Sequence, residues 1–257
     1  MIHSTVIIHA NAQLHESVRV GPYSVIDEHV TLGAGCEIGP HVHLTGHTTI
    51  GAENRFHTGC VIGDAPQDLK YSGEPTRLII GDRNFFREHV TIHRSNTPDE
   101  DTRIGTDNFF MANSHVGHNA IIGNKVILAN GVLIAGHAMI GDGAFLAGNA
   151  VVHQFCRVGA MAMMQGCAGV SLDLPPFTIV RGINSMCGLN SIGLKRAGFS
   201  SEERQELKKA YHAIFLGDDL LKDALEKARA EFTGVLAEQL IDFVATSQRG
   251  TCSHTKR

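Results

Sequence analysis

The chain has 257 residues, of which 43% are apolar and 19% are charged, and its formal net charge is −4 at pH 7. These values allow one large domain or two small ones with a buried core, and they exclude a general attraction to nucleic acid or to membrane surfaces. The sequence has no apolar run of about 18 residues, and residues 1–10 lack the order of a signal peptide, so we expect a soluble, cytoplasmic protein with no integral membrane segment.

A large aliphatic residue or phenylalanine recurs every six residues along the first two thirds of the chain. The series runs from Ile2 to Ile62, returns from Ile80 to Ile92, and continues from Ile104 to Met164. Glycine often follows the large residue, as in Ile38-Gly39, and a small or compact residue stands four positions after it, as at Cys36. A period of six fits neither an α-helix nor a simple alternating strand.

Six residues make one short strand and a corner, so three hexads close a triangular coil of 18 residues with both the large and the small positions facing inward. Such coils stack by parallel strand pairing, about 4.8 Å apart. The repeat therefore predicts a mainly β protein with a parallel β-helix over residues 1–172. The repeat alone does not fix the handedness of the coil.

Two polar, proline-containing stretches interrupt the repeat, at residues 63–77 and 94–103. Both lack the apolar column, so we expect them to loop out of the coil, and loops on a rigid scaffold are common places for binding residues. The second stretch is equally well explained as a solvated acidic segment.

The pattern changes after residue 172. The segment Leu174-Pro175-Pro176-Phe177 breaks the repeat, and Ser200 and Glu203 have the spacing of a capping box before a helical stretch. Two further amphipathic stretches, 218–232 and 235–247, bring the expected number of helices to three or four. We predict a C-terminal α-helical domain over residues 173–257 that caps the open end of the β-helix.

The unbroken repeat after Ile104 stacks residues that are 18 positions apart on neighbouring coils. Two adjacent columns result at one corner: His118, Gly136 and Gln154 in the first, and Asn119, His137 and Phe155 in the second. A potential base, an unshielded backbone N–H and an amide side chain then lie in a row, about 5 Å apart per step. The row is a candidate catalytic site.

Two other interpretations of this corner remain open from the residues alone. Histidines at the corners of a coil can be exposed and without function. A metal site like that of the γ-class carbonic anhydrases would need two histidines five residues apart, which the chain lacks, and the pair His115 and His118 is a weak metal signal. The six cysteines form no CxxC pair, so we predict no metal site.

Several segments carry a more specific resemblance. The hexapeptide itself resembles that of left-handed β-helix acyltransferases. Six longer segments are similar to the UDP-N-acetylglucosamine 3-O-acyltransferase family, which acts in the first step of lipid A synthesis: GDAPQDLKY (63–71), TIHR (91–94), NSHVGH (113–118), LIAGH (133–137), AVVHQFCRVGA (150–160) and GLKRAGF (193–199). The similarity covers nearly the whole chain.

The resemblance implies a left-handed β-helix and a reaction that needs no cofactor. A (3-hydroxy)acyl chain would pass from acyl carrier protein to the 3-position of UDP-N-acetylglucosamine without a covalent enzyme intermediate. His118 would be the general base, and the backbone N–H of Gly136 would stabilise the oxyanion. Members of the family are homotrimers with the active site between neighbouring β-helices.

The resemblance also implies substrate-binding residues. Asp68 and Lys70 would bind the glucosamine and phosphate portions, although alone they would pass for an ordinary exposed loop pair. Gly166 matches a position that limits the length of the acyl chain. The other implied pocket residues are His93, His115, His137, His153, Gln154, Asn190 and Arg196.

Some positions depart from the pattern of the family. Asn119 follows the base where an aspartate is expected, so support for the imidazolium would be weaker or would come from elsewhere. Further departures are Asn184, Ile192 and Ala197. An acceptor with an amine at C3 therefore remains an alternative, as do a diverged paralogue and a non-catalytic or γ-carbonic-anhydrase-like β-helix protein.

Overall fold

Short strands alternate with tight corners along most of the chain, as the six-residue period predicts. The structure is a computed structural model that describes residues 1–255. Its strands are β1 (Ile7–Ile8), β2 (Gln13–Leu14), β3 (Arg19–Val20), β4 (Val25–Ile26), β5 (Val30–Leu32), β6 (Glu37–Ile38), β7 (His43–Leu44), β8 (His47–Ile50), β9 (Arg55–Phe56), β10 (Val61–Asp64), β11 (Arg77–Ile80), β12 (Phe85–Phe86), β13 (Thr91–His93), β14 (Asp101–Ile104), β15 (Phe109–Phe110), β16 (His115–Val116), β17 (Ile121–Ile122), β18 (Ile127–Leu128), β19 (Leu133–Ile134), β20 (Met139–Ile140), β21 (Phe145–Leu146), β22 (Val151–Val152), β23 (Arg157–Val158), β24 (Met163–Met164), β25 (Gly169–Val170), β26 (Thr178–Arg181), β27 (Ser185–Leu189) and β28 (Ser253–His254). The helices are α1 (Ser191–Arg196), α2 (Ser201–Phe215), α3 (Leu221–Glu231) and α4 (Val235–Ala245).

Every third strand pairs in parallel, which produces the three faces of a triangular coil. We name them by their strand order: face I is β1-β4-β7-β10-β13-β16-β19-β22-β25, face II is β2-β5-β8-β11-β14-β17-β20-β23, and face III runs from β3 through β6, β9, β12, β15, β18, β21 and β24 to β26, β27 and β28. On face I, His115 pairs with Leu133, and Leu133 pairs with Val151. The 18-residue coil predicted from the sequence is thus confirmed.

The large and small positions of the repeat both fill the interior. Leu44, Ile92 and Leu128 are fully buried at the large positions, and Cys36 and Ala138 are fully buried at the small ones. Removal of these side chains from water is the main favourable contribution to folding, at about 25 cal/mol per Å² of apolar surface. The stacked columns therefore explain why the hexad is so regular.

One interior column is polar, and hydrogen bonds link its side chains to the backbone of the next coil. Asn54, Asn84 and Asn108 are buried on successive coils. The Oδ1 atom of Asn54 accepts the backbone N–H of Asn84 at 3.0 Å, and Oδ1 of Asn84 accepts that of Asn108 at 2.9 Å. Buried amides are stable when they are bonded in this way, so this ladder fixes the alignment of neighbouring coils.

The corners are turned by single residues in the left-handed backbone region. Asn119, His137 and Phe155 have φ values of 59°, 58° and 62°. They stack at the corner between faces I and II, because the N–H of His137 donates to the carbonyl of His118 and the N–H of Phe155 to that of Gly136. The predicted columns at this corner are therefore present.

Both interruptions of the repeat leave the coil at this same corner. Val61 pairs with Thr91, and Thr91 pairs with His115, so each of these coils is longer than 18 residues. The extra residues lie between β10 and β11 in the first coil and between β13 and β14 in the second. The excursions expected at 63–77 and 94–103 therefore stack on the coils next to His118.

The carboxyl-terminal part contains the expected helices and also three strands that the sequence did not reveal. The capping box of α2 is confirmed, since Ser200 Oγ accepts the N–H of Glu203 and Glu203 accepts the N–H of Ser200. Strand β26 continues face III, and β27 pairs with it antiparallel. Residues 173–190 thus extend the sheet before the helices begin, and the division at residues 172 and 173 stays a prediction.

A buried ion pair between Arg157 and Asp173 lies where helix α4 meets the coil. The Asp173 side chain is 2% exposed and accepts Arg157 Nε at 2.8 Å. The Arg157 guanidinium also lies over the Phe243 ring, 4.3 Å from its centroid. Because a buried charge is stable only with good partners, this contact holds α4 against face II. Among residues 1–255, no helix combines the length and the apolar character needed to cross a bilayer.

Candidate active site

A groove of about 780 Å³ lies along face I beside its corner with face II. It brings together many of the residues that the sequence singled out. Its lining includes Gln67, His93, His115, Gly117, His118, Leu133, Gly136, Val151, His153, Gln154, Ser171 and Ile183. A second groove of about 650 Å³ lies at the amino-terminal end and contains none of the predicted site residues.

The imidazole of His118 lies directly over Gly136. A Cβ atom on Gly136 would be 2.7 Å from Cε1 and 2.8 Å from Nε2 of His118, closer than any normal contact. Only glycine leaves room for the ring here. The Gly136 N–H donates to no atom of residues 1–255, so an imidazole and a peptide N–H without a partner lie next to each other.

Hydrogen bonds fix which ring nitrogen of His118 carries the proton. The backbone N–H of Asn96 donates to Asn119 Oδ1 at 3.0 Å, which identifies that atom as the amide oxygen. His118 Nδ1 lies 2.8 Å from the same oxygen and must therefore be its donor. Because a neutral imidazole has one N–H, the lone pair is on Nε2, beside Gly136.

Asn119 is held on its other side by the second excursion. Its Nδ2 donates to Ser95 Oγ and to Glu100 Oε2, each at 2.8 Å. Its backbone N–H donates to Thr102 Oγ1 at 2.7 Å. Where the family pattern has an aspartate next to the histidine, this chain has an amide that is itself hydrogen-bonded to the Glu100 carboxylate.

Two further histidines line the groove above His118. His115 Nδ1 is 2.7 Å from Thr91 Oγ1, and the rings of His93 and His115 meet edge to face at 5.0 Å. Burial lowers the pKa of His115 to about 4, helped by the neighbouring imidazoles of His93 and His118. Burial also lowers the pKa of His93. Both rings are neutral at pH 7 and can act as hydrogen-bonding groups for a ligand.

One ring nitrogen of His93 lacks a hydrogen-bond partner. Its Nδ1 atom is buried and has no hydrogen-bond partner among residues 1–255. A buried polar atom without a partner is costly. A polar group of a ligand in the groove would supply the missing partner.

His137 lies next to His118 on the other side of the corner. The two rings are perpendicular with centroids 5.2 Å apart, and His137 stacks on Phe155 at 4.6 Å. Burial and the nearby His118 lower the pKa of His137, while Glu100 opposes that shift. His137 does not line the groove, but its ring packs against that of His118, which does.

The predicted pair Asp68 and Lys70 lies in the first excursion, at the edge of the groove. Asp68 Oδ2 accepts Asn96 Nδ2 at 2.7 Å, and Asp68 Oδ1 accepts the backbone N–H of Lys70 at 3.0 Å. The backbone N–H of Lys70 and the side chain of Asn96 hold the pKa of Asp68 below its ordinary value. The carboxylate therefore remains charged near His118, and Lys70 is exposed.

Three predicted site residues lie elsewhere in the single chain. Gly166 is on the corner between faces III and I. Asn190 caps α1 by accepting the N–H of Gly193 and donates to the carbonyl of Met161 at 2.9 Å. Arg196 is exposed in the last turn of α1. One chain does not bring these residues to His118.

The sequence did not single out every residue of the site. Gln67, Ser171 and Ile183 line the groove, and Ser95, Asn96 and Glu100 hold Asn119. These residues lie in loops or beyond the repeat, where no periodicity places them. Among residues 1–255, no three His, Cys, Asp or Glu side chains are arranged to hold a metal ion.

Comparisons with known proteins identify relatives of this chain. Residues 101–136 match the model of the bacterial transferase hexapeptide (six repeats), and residues 173–252 match the second domain of UDP-N-acetylglucosamine O-acyltransferase. The curated relative from Herminiimonas arsenicoxydans, named acyl-[acyl-carrier-protein]–UDP-N-acetylglucosamine O-acyltransferase, is 47% identical over 97% of this chain and 98% of its own length. A relative of the same name from Myxococcus xanthus is 43% identical over the same shares.

Solved structures are also similar to this chain over its whole length. The UDP-N-acetylglucosamine acyltransferase of Francisella novicida has a TM-score of 0.94 and 36% identity, covering 100% of this chain and 95% of that one. The corresponding enzyme of Campylobacter jejuni has a TM-score of 0.93 and 30% identity, covering 99% and 100%. These matches confirm the left-handed β-helix and the acyltransferase class, and the chain belongs to the UDP-N-acetylglucosamine O-acyltransferase family.

Proposed function

We propose that this protein transfers a (3-hydroxy)acyl chain from acyl carrier protein to the 3-position of UDP-N-acetylglucosamine, as the first step of lipid A synthesis. The observation that carries the proposal is the position of His118 over Gly136, with the lone pair on Nε2. The names of the relatives support the two substrates. We place the reaction in the cytoplasm, where both substrates would meet the enzyme.

The chemistry follows from this pair of groups. His118 Nε2 removes the proton from the 3-hydroxyl as that oxygen attacks the thioester carbon. The carbonyl oxygen becomes an oxyanion, which the Gly136 N–H stabilises. Collapse of the tetrahedral intermediate breaks the carbon–sulfur bond, and the imidazolium returns its proton to the leaving thiolate. The step needs no cofactor and no covalent enzyme intermediate.

The other polar residues of the groove suit a nucleotide sugar. We propose that neutral His93 and His115 hydrogen-bond the acceptor, and that Asp68 accepts from the sugar while Lys70 binds phosphate. His137, His153 and Gln154 would complete the pocket around the sugar and the acyl group. Burial of His93 without a partner for Nδ1 supports an incoming polar ligand.

A second copy of the chain would complete the site. Apolar side chains are exposed on both sides of the catalytic corner, with Leu133 at 48% and Val151 at 41% on face I, and Met139 at 45% on face II. Exposed apolar patches commonly mark interfaces. We propose a homotrimer in which a neighbouring chain brings its Gly166, Asn190 and Arg196 towards His118, with Gly166 next to the end of the acyl chain.

The proposed trimer interface can be tested by the introduction of charged side chains. We expect the double variant Ile121→Asp/Met139→Asp, which places carboxylates on the exposed apolar part of face II, to dissociate the trimer and to lose most of its turnover. Light scattering measures the mass, and far-ultraviolet circular dichroism checks the β-helix. A monomer that keeps full turnover would contradict the proposal.

The acceptor and the donor can be determined together. We expect purified protein to acylate UDP-N-acetylglucosamine at oxygen when it is offered acyl carrier proteins with a series of hydroxyacyl chains, and mass spectrometry identifies the product. The 3-amino analogue is the matched control, because an amide product there with no ester from the parent sugar would show the alternative acceptor. No acylation of either sugar by any donor would refute the proposal.

A further inference from the structure

The second excursion places a carboxylate behind the general base. Glu100 Oε2 accepts Asn119 Nδ2 at 2.8 Å, and Asn119 Oδ1 accepts the Nδ1–H of His118 at 2.8 Å. A continuous chain of two hydrogen bonds therefore connects the carboxylate to the imidazole. The connecting amide is 5% exposed, so water competes little for its bonds.

Glu100 is held in place by its neighbour in the sequence. Asp101 opens strand β14, and its side chain is only 4% exposed while it accepts Arg77 Nε at 2.6 Å. It also pairs with Arg103. The backbone that carries Glu100 is thus fixed to face II, although the Glu100 side chain itself is 59% exposed.

We propose that Glu100 is a positioning residue for the acyl transfer, and that it orients the Asn119 amide and stabilises the imidazolium of His118 through it. The inference rests on the proposed function, because it assigns a role to Glu100 only if His118 is the base. Asparagine has one acceptor oxygen and two donor hydrogens. A carboxylate accepts only, so it binds the NH2 end and turns the oxygen towards His118.

The same hydrogen-bonded residues can also stabilise the positive charge that forms on His118. When His118 takes a proton from the acceptor, the positive charge on the ring is stabilised by the amide dipole, and the negative Glu100 at the far end of the dipole strengthens this effect. Glu100 Oε2 also lies 3.6 Å from His137 Nδ1. The titratable groups that face His118 are Asp68, His93, His115 and His137, with Glu100 behind Asn119.

The first test removes the charge of Glu100. We expect Glu100→Gln to lower kcat by on the order of tenfold while KM for the sugar stays unchanged, because Asn119 Nδ2 then donates to a neutral amide oxygen, and a hydrogen bond to a charged group is about twice as strong. Without the carboxylate, protonation of His118 is less favourable, so the acidic limb of the pH profile of kcat/KM should move to lower pH. Asp99→Asn is the matched control, because it removes an exposed carboxylate from the same loop.

The second test exchanges the carboxylate of residue 100 and the amide of residue 119. Asn119→Asp alone sets two carboxylates within hydrogen-bonding distance and should lower kcat. The double variant Glu100→Gln/Asn119→Asp restores a donor facing an acceptor, and the new carboxylate contacts His118 directly, so kcat and the acidic limb should recover.

Three outcomes would overturn the role of Glu100. The first is a Glu100→Gln variant with wild-type kcat and pH profile, the second is a double variant whose loss equals the product of the single losses, and the third is an equal effect of Asp99→Asn. Turnover by His118→Ala and by the wild type separates the proposals. If His118→Ala is inactive while Glu100→Gln behaves as wild type, only the role of Glu100 fails. A His118→Ala variant with normal turnover refutes the assignment of His118 as the base and the role of Glu100 with it, whereas a wild-type protein that acylates neither sugar refutes the proposed function itself.

Discussion

His118→Ala should lower kcat for acyl transfer by about 10²–10⁴-fold, the range for loss of a positioned general base. The variant keeps Gly136 and the rest of the groove, so the sugar should still bind and its KM should change little. A steady-state assay of thioester consumption measures kcat, and calorimetric titration with the nucleotide sugar measures binding. The loss should appear in the chemical step alone.

His89→Asn is a suitable control for that experiment. His89 is an exposed corner histidine with a φ of 58°, and asparagine tolerates this conformation. It lies outside the groove lining, so its replacement should leave both kcat and the melting temperature near wild type. A His118→Ala variant that turns over as fast as this control would show that another group removes the proton.

Gly136→Ala should also lower kcat strongly, although it removes no functional group. The new methyl carbon would lie 2.7 Å from His118 Cε1, so the ring must move. A displacement of about 1 Å in a reacting group costs roughly 10²-fold in rate, and His118 has little freedom because Nδ1 is bonded to Asn119. The backbone φ of Gly136 is not positive, so alanine should fold there.

Gly148→Ala provides the matched control for a methyl group at the same position of the repeat. Its Cβ would meet nothing nearer than the carbonyl oxygen of Asn130 at 3.6 Å. We expect near-normal kcat and an unchanged or slightly raised melting temperature, because alanine restricts the unfolded chain. Equal kcat values for the Gly136 and Gly148 variants would rule out the close approach of His118 to residue 136 as a catalytic requirement.

The coil and the corner that carries His118 were predictable because both follow from one period. Once three hexads close a turn, residues 18 apart must stack, so His118, Gly136 and Gln154 are brought together by the repeat itself. The arithmetic does not determine handedness, which came from resemblance and was then confirmed by the solved relatives. Strand β26 was missed because Thr178–Arg181 follows two prolines and shows no hexad.

The support of the base could not be predicted in the same way. Glu100 lies in a loop whose path depends on the contacts of Ser95 and Asn96, and no periodic spacing relates it to Asn119. In the proposed trimer, the positions of Asn190 and Gly166 relative to His118 would depend on how the copies assemble, and the repeat carries no signal for that arrangement. Around His118, the sequence therefore predicts the positions of residues within the repeat but not those of residues in the loops.

The stacking at one corner also limits how this protein can change its length over evolution. Duplication of a single hexad between residues 118 and 136 would carry the glycine round to the next face, a third of a turn away from the imidazole. Insertion of three hexads without a glycine at this position would keep Gly136 on the same edge but would move it one turn further along the stack, about 4.8 Å away. Whole turns gained or lost at the amino-terminal end would leave His118 and Gly136 next to each other, so such changes in chain length would be tolerated there but not between these two residues.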